Sequence, residues 1–239
     1  MTKTSVIFAS VLLLLIASAV ALIFATQNSD SIIETVTDDG SVRYLPLGDS
    51  YTIGQSVDNT MRWPNQLVTL LNTAGIKSSI IDNPAVTGYT TQDLIDTELP
   101  LVSRTNPDFV SVQIGVNDYV QGISPSIFQK NLEYIISQIL SKMDSPKKIV
   151  LVTIPDFGKT TAGSQFGNPV DIEQGIIQFN QIITEVGTKN GIPVVDIFDI
   201  SQKVTTDPTL TTNDGLHPSG SQYSLWAKRV FEATQANLR

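Results

Sequence analysis

The sequence predicts an α/β fold built on a mostly parallel sheet. Short apolar runs rich in valine and isoleucine alternate along the chain with longer segments of helical periodicity. The runs are nearly continuous rather than alternating in polarity, as expected of strands that are buried on both faces of a parallel sheet. The predicted strands are, in order, RYLPLG, SSIID, DFVSVQIG, KKIVLVTIP and IPVVDIF.

The segments between and after these runs carry apolar stripes at helical spacing. Ser124 is the predicted N-cap of one helix, with Pro125 at its first position, and Gly191 is predicted to end the next. A further helix is predicted near the C-terminus. The three stripes are Phe128, Leu132, Ile135 and Ile139; Ile172, Ile176, Phe179, Ile183 and Val186; and Tyr223, Trp226, Val230 and Phe231.

Pro46 conflicts with the position of its own strand. The first strand is expected to be central, and proline removes a donor from the hydrogen-bond ladder. We therefore expect a kink at Pro46, just before the loop that carries Ser50.

The N-terminus contains an uncharged apolar stretch from Ser5 to Thr26. It is long enough to span a bilayer and longer than the apolar part of most signal peptides. An N-terminal transmembrane helix, acting as a signal anchor, is favoured over a cleaved signal peptide, although Ala19-Val20-Ala21 resembles a cleavage site. Lys3 precedes the stretch and acidic residues follow it, which places the remainder of the chain outside the cytoplasm.

These features predict a chain of three parts. The regions are an anchor or signal peptide at 1–26, a polar stalk at 27–41 and a single domain at 42–239. We expect a cell-membrane protein attached through residues 5–26, or alternatively a secreted protein.

Composition excludes several kinds of chemistry. The chain has no cysteine and one histidine, which excludes a thiol nucleophile and a disulfide framework and argues against a zinc site. Its net charge of −8 argues against a nucleic-acid partner. We expect neither a metal nor a cofactor.

Small and polar residues follow the predicted strands. The loops are GDSYTIG with Ser50, NPAVTGYTT with Gly88, GVNDY with Asn117, and DGLHP with Asp214 and His217 before the last helix. In parallel sheets the ligand crevice lies at the carboxyl ends of the strands. We therefore expect these five residues to converge on one site.

The residue types in these loops suit nucleophilic catalysis. A serine hydroxyl needs a base to remove its proton, and His217 is the only imidazole in the chain. Asp214, three residues earlier, can fix its tautomer. The backbone N–H groups of Ser50 and Gly88 and the side-chain amide of Asn117 are candidate donors to a tetrahedral oxyanion.

Taken together, GDSYTIG, Gly88, GVND and DGLHP resemble the four blocks of the SGNH hydrolases, also called GDSL-type esterases. RWPNQL, IPDFG and DGLHPSG are similar to the lysophospholipase-like esterase branch. The resemblance implies a three-layer α/β/α sandwich, flavodoxin-like, with five parallel strands. It implies Ser50 as nucleophile, Asp214 as acid and His217 as base, with oxyanion donors at Ser50, Gly88 and Asn117. The chain lacks the G-x-S-x-G sequence of ordinary α/β-hydrolases.

We therefore expect an extracytoplasmic serine hydrolase that cleaves acyl esters through an acyl-enzyme. A lysophospholipid, a simple carboxylic ester and an acetylated sugar remain open as substrates. One alternative is a carbohydrate O-acetyl esterase acting on cell-envelope glycans. Another is an inactive membrane-tethered binding protein. A third is a metallophosphoesterase that would use Asp49, Asp118, Asp214 and His217.

Structural roles are predicted for several other polar and aromatic residues. Asp49 and Asp118 are expected to stabilise their own loops, and Trp63 and Trp226 are expected to pack in the core. The glycine-rich segment Asp156–Asn168 is long for a connection without regular structure, so we expect it to border the substrate pocket.

Overall fold

The computed structural model describes residues 40–239, which form one compact unit. The predicted transmembrane helix and the stalk up to residue 39 lie outside the described residues. Within 40–239, no helix combines the length and the apolar character needed to cross a bilayer. Gly40 and Arg239, at the two ends of this unit, line the same surface depression beside Ile76.

The sheet has five parallel strands in the order β2-β1-β3-β4-β5, which is the order of flavodoxin-like doubly wound sheets. The predicted α/β class and all five predicted strands are therefore confirmed. The observed strands are β1 (Val42–Gly48), β2 (Ser78–Ile80), β3 (Phe109–Gln113), β4 (Ile149–Val152) and β5 (Val194–Val195). The chain leaves β1 toward one edge and returns to place β3 on the other side, so the expected crevice opens between β1 and β3.

Helices cover both faces of the sheet. Right-handed crossovers place α2 on one face and α4, α6 and α7 on the other, because the chain reverses direction after β2. The last helix, α9, returns to pack against α2. The α-helices are α1 (Ser50–Ile53), α2 (Trp63–Thr73), α3 (Thr91–Asp93), α4 (Leu99–Thr105), α5 (Val116–Val120), α6 (Pro125–Leu140), α7 (Pro169–Asn190), α8 (Phe198–Ser201) and α9 (Gly220–Thr234). Leu94–Glu98 is a π-helix, and 3₁₀ turns occur at Asn59–Met61, Pro146–Lys148, Phe157–Lys159, Gly163–Phe166, Gln202–Thr205, Pro208–Leu210 and Gln235–Asn237.

The predicted helix ends are confirmed. The Ser124 hydroxyl accepts a hydrogen bond from the Ile127 N–H, and α6 begins at Pro125. Gly191 ends α7 in the left-handed conformation, with φ +67°. The predicted stripes are buried against the sheet, except that Phe231 is half-buried at the margin of the core. Trp63 and Trp226 are fully buried, as expected of packing residues.

Pro46 does not disrupt the centre of the sheet. It lies in β1 in register with Ser111 of β3. The Val42 N–H donates to the Lys77 carbonyl and the Tyr44 carbonyl accepts from the Ile81 N–H, so even-numbered residues of β1 face β2. The Pro46 nitrogen therefore points past Ile80, where β2 has already ended. The expected kink is absent because no ladder hydrogen bond is lost.

Two buried carboxyl groups lie at the carboxyl end of β1. Glu98, the last residue of the π-helix, accepts a hydrogen bond from the Gly48 N–H at 2.9 Å, and burial raises its pKa to about 8. Burial likewise raises the pKa of Asp49 to about 7. Both carboxyls are therefore held largely protonated in the folded protein at mildly acidic pH. Asp49 loses its proton as pH rises through about 7, and Glu98 does so as pH rises through about 8.

Glutamine in place of Glu98 should make stability less dependent on pH. Because the folded pKa of Glu98 is raised, its protonated form stabilises the fold below pH 4.5, and this contribution is lost as pH rises through about 8. Glutamine resembles the protonated acid and can still accept the Gly48 N–H. Thermal unfolding of Glu98→Gln should match the wild type near pH 5 and occur at higher temperature near pH 9. Asp49 is present in both proteins, and because burial raises its pKa to about 7, both should retain part of the dependence of stability on pH. Identical slopes for the two proteins would contradict the assignment.

Candidate active site

Ser50 stands at the junction of β1 and α1. Gly48, the last residue of β1, has no room for a side chain, because a Cβ there would lie 2.3 Å from the Gln113 carbonyl oxygen. Asp49 then caps α1, its carboxylate accepting the Tyr51 N–H at 2.9 Å. Ser50 becomes the first residue of that helix, so its backbone N–H cannot be bonded within the helix and is free to face a ligand.

His217 is held in a tight hairpin loop before α9. Thr211 and Pro218 pair as an antiparallel bridge, and the Thr212 N–H donates to the His217 carbonyl at 2.8 Å. The His217 Nδ1 lies 2.8 Å from the Asp214 Oδ2. The imidazole is buried with its ring 5.7 Å from that of Tyr51. The imidazole is therefore held on one side by the Asp214 carboxylate of its own hairpin and on another side by the ring of Tyr51 from α1.

The Asp214 carboxylate accepts several hydrogen bonds in addition to its contact with the His217 Nδ1. Oδ1 accepts from the Thr212 hydroxyl at 2.7 Å, from the Leu216 N–H at 2.8 Å and from the His217 N–H at 2.9 Å. Oδ2 also accepts from the Ser56 hydroxyl at 2.6 Å. Partial burial by itself raises the pKa of Asp214, but the hydrogen bonds from Ser56, the backbone and Thr212 outweigh it and hold the pKa well below its usual range. Asp214 is therefore ionised at neutral pH and can accept the Nδ1–H of His217.

Gly88 and Asn117 approach the site from two other loops. The Asn117 amide donates to the Tyr89 carbonyl at 2.9 Å and so ties the Gly88 loop to the end of β3. Gly88 has φ +90°, and a Cβ there would meet no atom within 4 Å. Glycine is therefore required for its backbone conformation and not for space within the folded chain.

The two aspartates predicted to be structural do bind backbone groups. Asp118 is buried and accepts the Thr91 N–H at 2.9 Å and the Thr91 hydroxyl at 2.5 Å, while Asp49 caps α1. Across residues 40–239, no three histidine, aspartate or glutamate side chains are grouped as metal ligands. The four residues of the metallophosphoesterase alternative are therefore not arranged as a ligand set.

One cavity of about 280 Å³ brings the predicted residues together. Ser50, Gly88, Asn117 and His217 line it, and Asp214 contacts His217 from behind. Residues that the sequence did not indicate complete the walls. The apolar ones are Tyr51, Val116, Val120 and Leu216, and the polar ones are Gln55 and Thr87, whose side chains are hydrogen-bonded at 2.6 Å.

The segment Asp156–Asn168 borders the cavity, as expected. It is not an extended loop, because it forms two 3₁₀ turns. Phe157 and Phe166, from these turns, line the cavity and contact each other edge to face, with ring centroids 5.6 Å apart. The segment also supports the histidine hairpin, since the Ala162 N–H donates to the Gly215 carbonyl at 2.9 Å.

Residues 47–225 match the GDSL-like Lipase/Acylhydrolase family. The chain belongs to this family. The curated arylesterase of Vibrio mimicus is 26% identical over 77% of this chain and 84% of its own length. The thioesterase 1/protease 1/lysophospholipase L1 of Escherichia coli K12 is 22% identical over 73% of this chain and 74% of its own length.

Solved structures share the fold. The lipase/acylhydrolase from Enterococcus faecalis superposes with a TM-score of 0.67 at 24% identity, over 82% of this chain and 97% of that one. The family match and the esterase relatives confirm the resemblance to GDSL-type esterases. The protein is therefore a carboxylic ester hydrolase of the GDSL family.

Proposed function

We propose that this GDSL esterase cleaves acyl esters through an acyl-enzyme on Ser50, with His217 as general base and Asp214 as the group that orients it. One observation carries the proposal. The Asp214–His217 pair and Ser50 come from opposite ends of the domain sequence, yet His217 and Ser50 line the same cavity. Gly88 and Asn117 lie on that cavity too, where donors to an oxyanion are needed.

The contacts in the cavity support a distinct role for each of the three residues. The ionised Asp214 accepts the Nδ1–H of His217, which leaves the lone pair on Nε2 free to take the Ser50 proton. Ser50 Oγ then attacks the ester carbonyl carbon. The resulting oxyanion accepts hydrogen bonds from the Ser50 and Gly88 N–H groups and from the remaining N–H of the Asn117 amide.

His217 next passes on the proton that it took from Ser50, and then acts as a base a second time during hydrolysis of the acyl-enzyme. Collapse of the tetrahedral intermediate breaks the ester C–O bond, and His217 gives its proton to the departing alkoxide. Water, deprotonated by His217, next attacks the acyl carbonyl. This step releases the carboxylic acid and returns the proton to Ser50 Oγ. All transfers use groups of the chain and one water.

Substitution of the three proposed residues tests this mechanism. Ser50→Ala and His217→Ala should lose nearly all turnover of p-nitrophenyl esters, and Asp214→Asn should fall by about 10⁴-fold because an amide selects the wrong tautomer. A serine-reactive phosphonate should label the wild type at Ser50. Asp207→Asn, an exposed aspartate that binds Thr209, is the matched control and should keep its rate. Turnover or labelling that persists in Ser50→Ala would contradict the proposal and favour another nucleophile, whereas a wild type that the phosphonate does not label would favour the inactive binding protein.

The dependence of kcat/KM on pH adds an independent readout. A general base must be unprotonated to act, so kcat/KM should rise with pH, and Asp214 cannot account for that rise because hydrogen bonds hold its pKa well below its usual range. Glu98 and Asp49 could also contribute to the rise, because burial raises their pKa values to about 8 and about 7. The profile should therefore be repeated in Glu98→Gln, where the acid limb should remain.

The apolar wall of the cavity is suited to the acyl chain, and its exposed members are Phe166 and Val120, of which Phe166 is the larger and the more exposed. Phe166→Ala should lower kcat/KM for an octanoate ester by about tenfold, as loss of an apolar contact in a pocket does, and leave an acetate ester nearly unchanged. A single substitution is a cleaner test than a deletion within Asp156–Asn168, because Ala162 of that segment also supports the histidine hairpin.

Val170→Ala provides the matched control, because Val170 is exposed and apolar but does not line the cavity. The chain-length series should include lysophospholipid and acetylated oligosaccharides. Equal losses on every ester would show that Phe166 supports the fold and not the acyl site. A preference of the wild type for acetylated oligosaccharide would favour the carbohydrate O-acetyl esterase.

We also propose that the domain acts outside the cytoplasm, attached to the membrane through residues 5–26. The support is in the sequence alone, in the uncharged stretch and in Lys3 before it. A protease added to intact cells that produce the full chain should cleave the domain. Protection until the cells are lysed would place the domain in the cytoplasm.

A further inference from the structure

The two oxygens of the Asp214 carboxylate have different kinds of partners. Among residues 40–239, the partners of Oδ1 all lie in its own hairpin and are Thr212, Leu216 and the His217 N–H. Oδ2, the oxygen that faces the imidazole, also accepts a hydrogen bond from the Ser56 hydroxyl at 2.6 Å. Ser56 is 158 positions away in the sequence and lies in the loop that follows α1. This hydrogen bond therefore joins the loop of the nucleophile to the hairpin of the acid and base.

Ser56 adopts an unusual backbone conformation. Its φ is +67°, and Ser56 and Asn106 are the non-glycine residues with positive φ in the described part of the chain. A residue with a side chain adopts this conformation only at an energetic cost, which glycine would avoid. Such strain persists only where the surrounding structure imposes it, and it is concentrated at functional sites. Here the left-handed turn is what directs the hydroxyl to the Asp214 carboxylate.

We propose that Ser56 is a positioning residue of the esterase, which fixes the Asp214 carboxylate so that Oδ2 stays aligned with the Nδ1–H of His217. The inference rests on the proposed roles of Asp214 and His217. Oδ2 can accept two hydrogen bonds in the carboxylate plane. The Ser56 hydroxyl occupies one direction, which leaves the other for the imidazole and opposes rotation of the carboxyl group. Ser56 does not line the cavity, so it acts through Asp214 and not on the substrate.

The Ser56 hydroxyl should also affect how strongly the Asp214 carboxylate stabilises a protonated imidazole. A donor to Oδ2 draws negative charge away from the imidazole, so its removal should favour the imidazolium. The acid limb of kcat/KM should then move to higher pH. Asp214 interacts electrostatically with Tyr51 and Tyr223, and these two tyrosines interact in turn with Asp49, Asp156 and Arg62. All of them are retained when only Ser56 is changed.

Glycine at position 56 separates the hydroxyl from the backbone strain. Ser56→Gly removes the donor and relieves the positive φ, so the protein should unfold at the same or a higher temperature. Its kcat should nevertheless fall about three- to tenfold, as expected for a lost hydrogen bond to a charged group near solvent, with KM unchanged. Asn106→Gly is the matched control, because it relieves the same kind of strain at the end of α4, away from the cavity. It should keep both kcat and the acid limb.

Threonine at position 56 supplies the opposite test. Ser56→Thr keeps the hydroxyl but adds a β-branch to a left-handed residue, so it should unfold earlier than the wild type while its kcat and acid limb return toward wild-type values. Wild-type kcat and an unmoved acid limb in Ser56→Gly would overturn the inference, as would a loss confined to KM. If Ser56→Thr does not fold, the comparison of Ser56→Gly with Asn106→Gly decides alone. An inactive His217→Ala beside an unaffected Ser56→Gly would refute only the role of Ser56, whereas full activity in His217→Ala would refute the proposed function.

Discussion

The parallel pairing of β1 with β3 is the constraint on which the site depends. Gly48 and Gln113 lie in register, so the two strands end side by side and their loops open onto one crevice. One loop carries Ser50 and the other carries Asn117. The reversal of chain direction after β2 makes these strands neighbours, although sixty residues lie between them in the sequence. The remaining loops reach the crevice because every strand of a parallel sheet ends at the same edge.

Buried polar groups then hold the loops in place. Glu98 binds the backbone of Gly48, Asp118 binds Thr91, and the Asn117 amide binds Tyr89. Each contact joins parts of the chain that are more than twenty-five residues apart in sequence, and each satisfies a polar group that would be costly to leave unpaired. Hydrogen bonds between segments that are remote in sequence therefore help to hold the loops of the site together. Protonation of Glu98 and Asp49 makes part of this support sensitive to pH.

Local sequence signals predicted much of this arrangement, because strands, helix caps and the residues of the site are encoded within short windows. Ser124, Gly191 and the four loop motifs needed no knowledge of distant contacts. Pro46 was misjudged because the effect of a proline depends on where the neighbouring strand ends, which only the three-dimensional pairing reveals. Gln55, Thr87 and Ser56 could not be identified either. Their roles arise from contacts with Asp214 and with each other across loops that are remote in sequence.

The position of the two ends of the compact unit has a consequence for how the domain can be connected. Gly40 and Arg239 border the same depression, next to the amino-terminal end of β1, whereas the cavity opens at the other end of that strand. The depression and the cavity lie at opposite ends of β1, a strand of seven residues whose length is roughly 20 Å. A partner domain fused at either end would therefore leave the mouth of the cavity clear. The same proximity makes the fold suited to circular permutation, in which a short linker would join the present ends and new ends would open in an exposed loop.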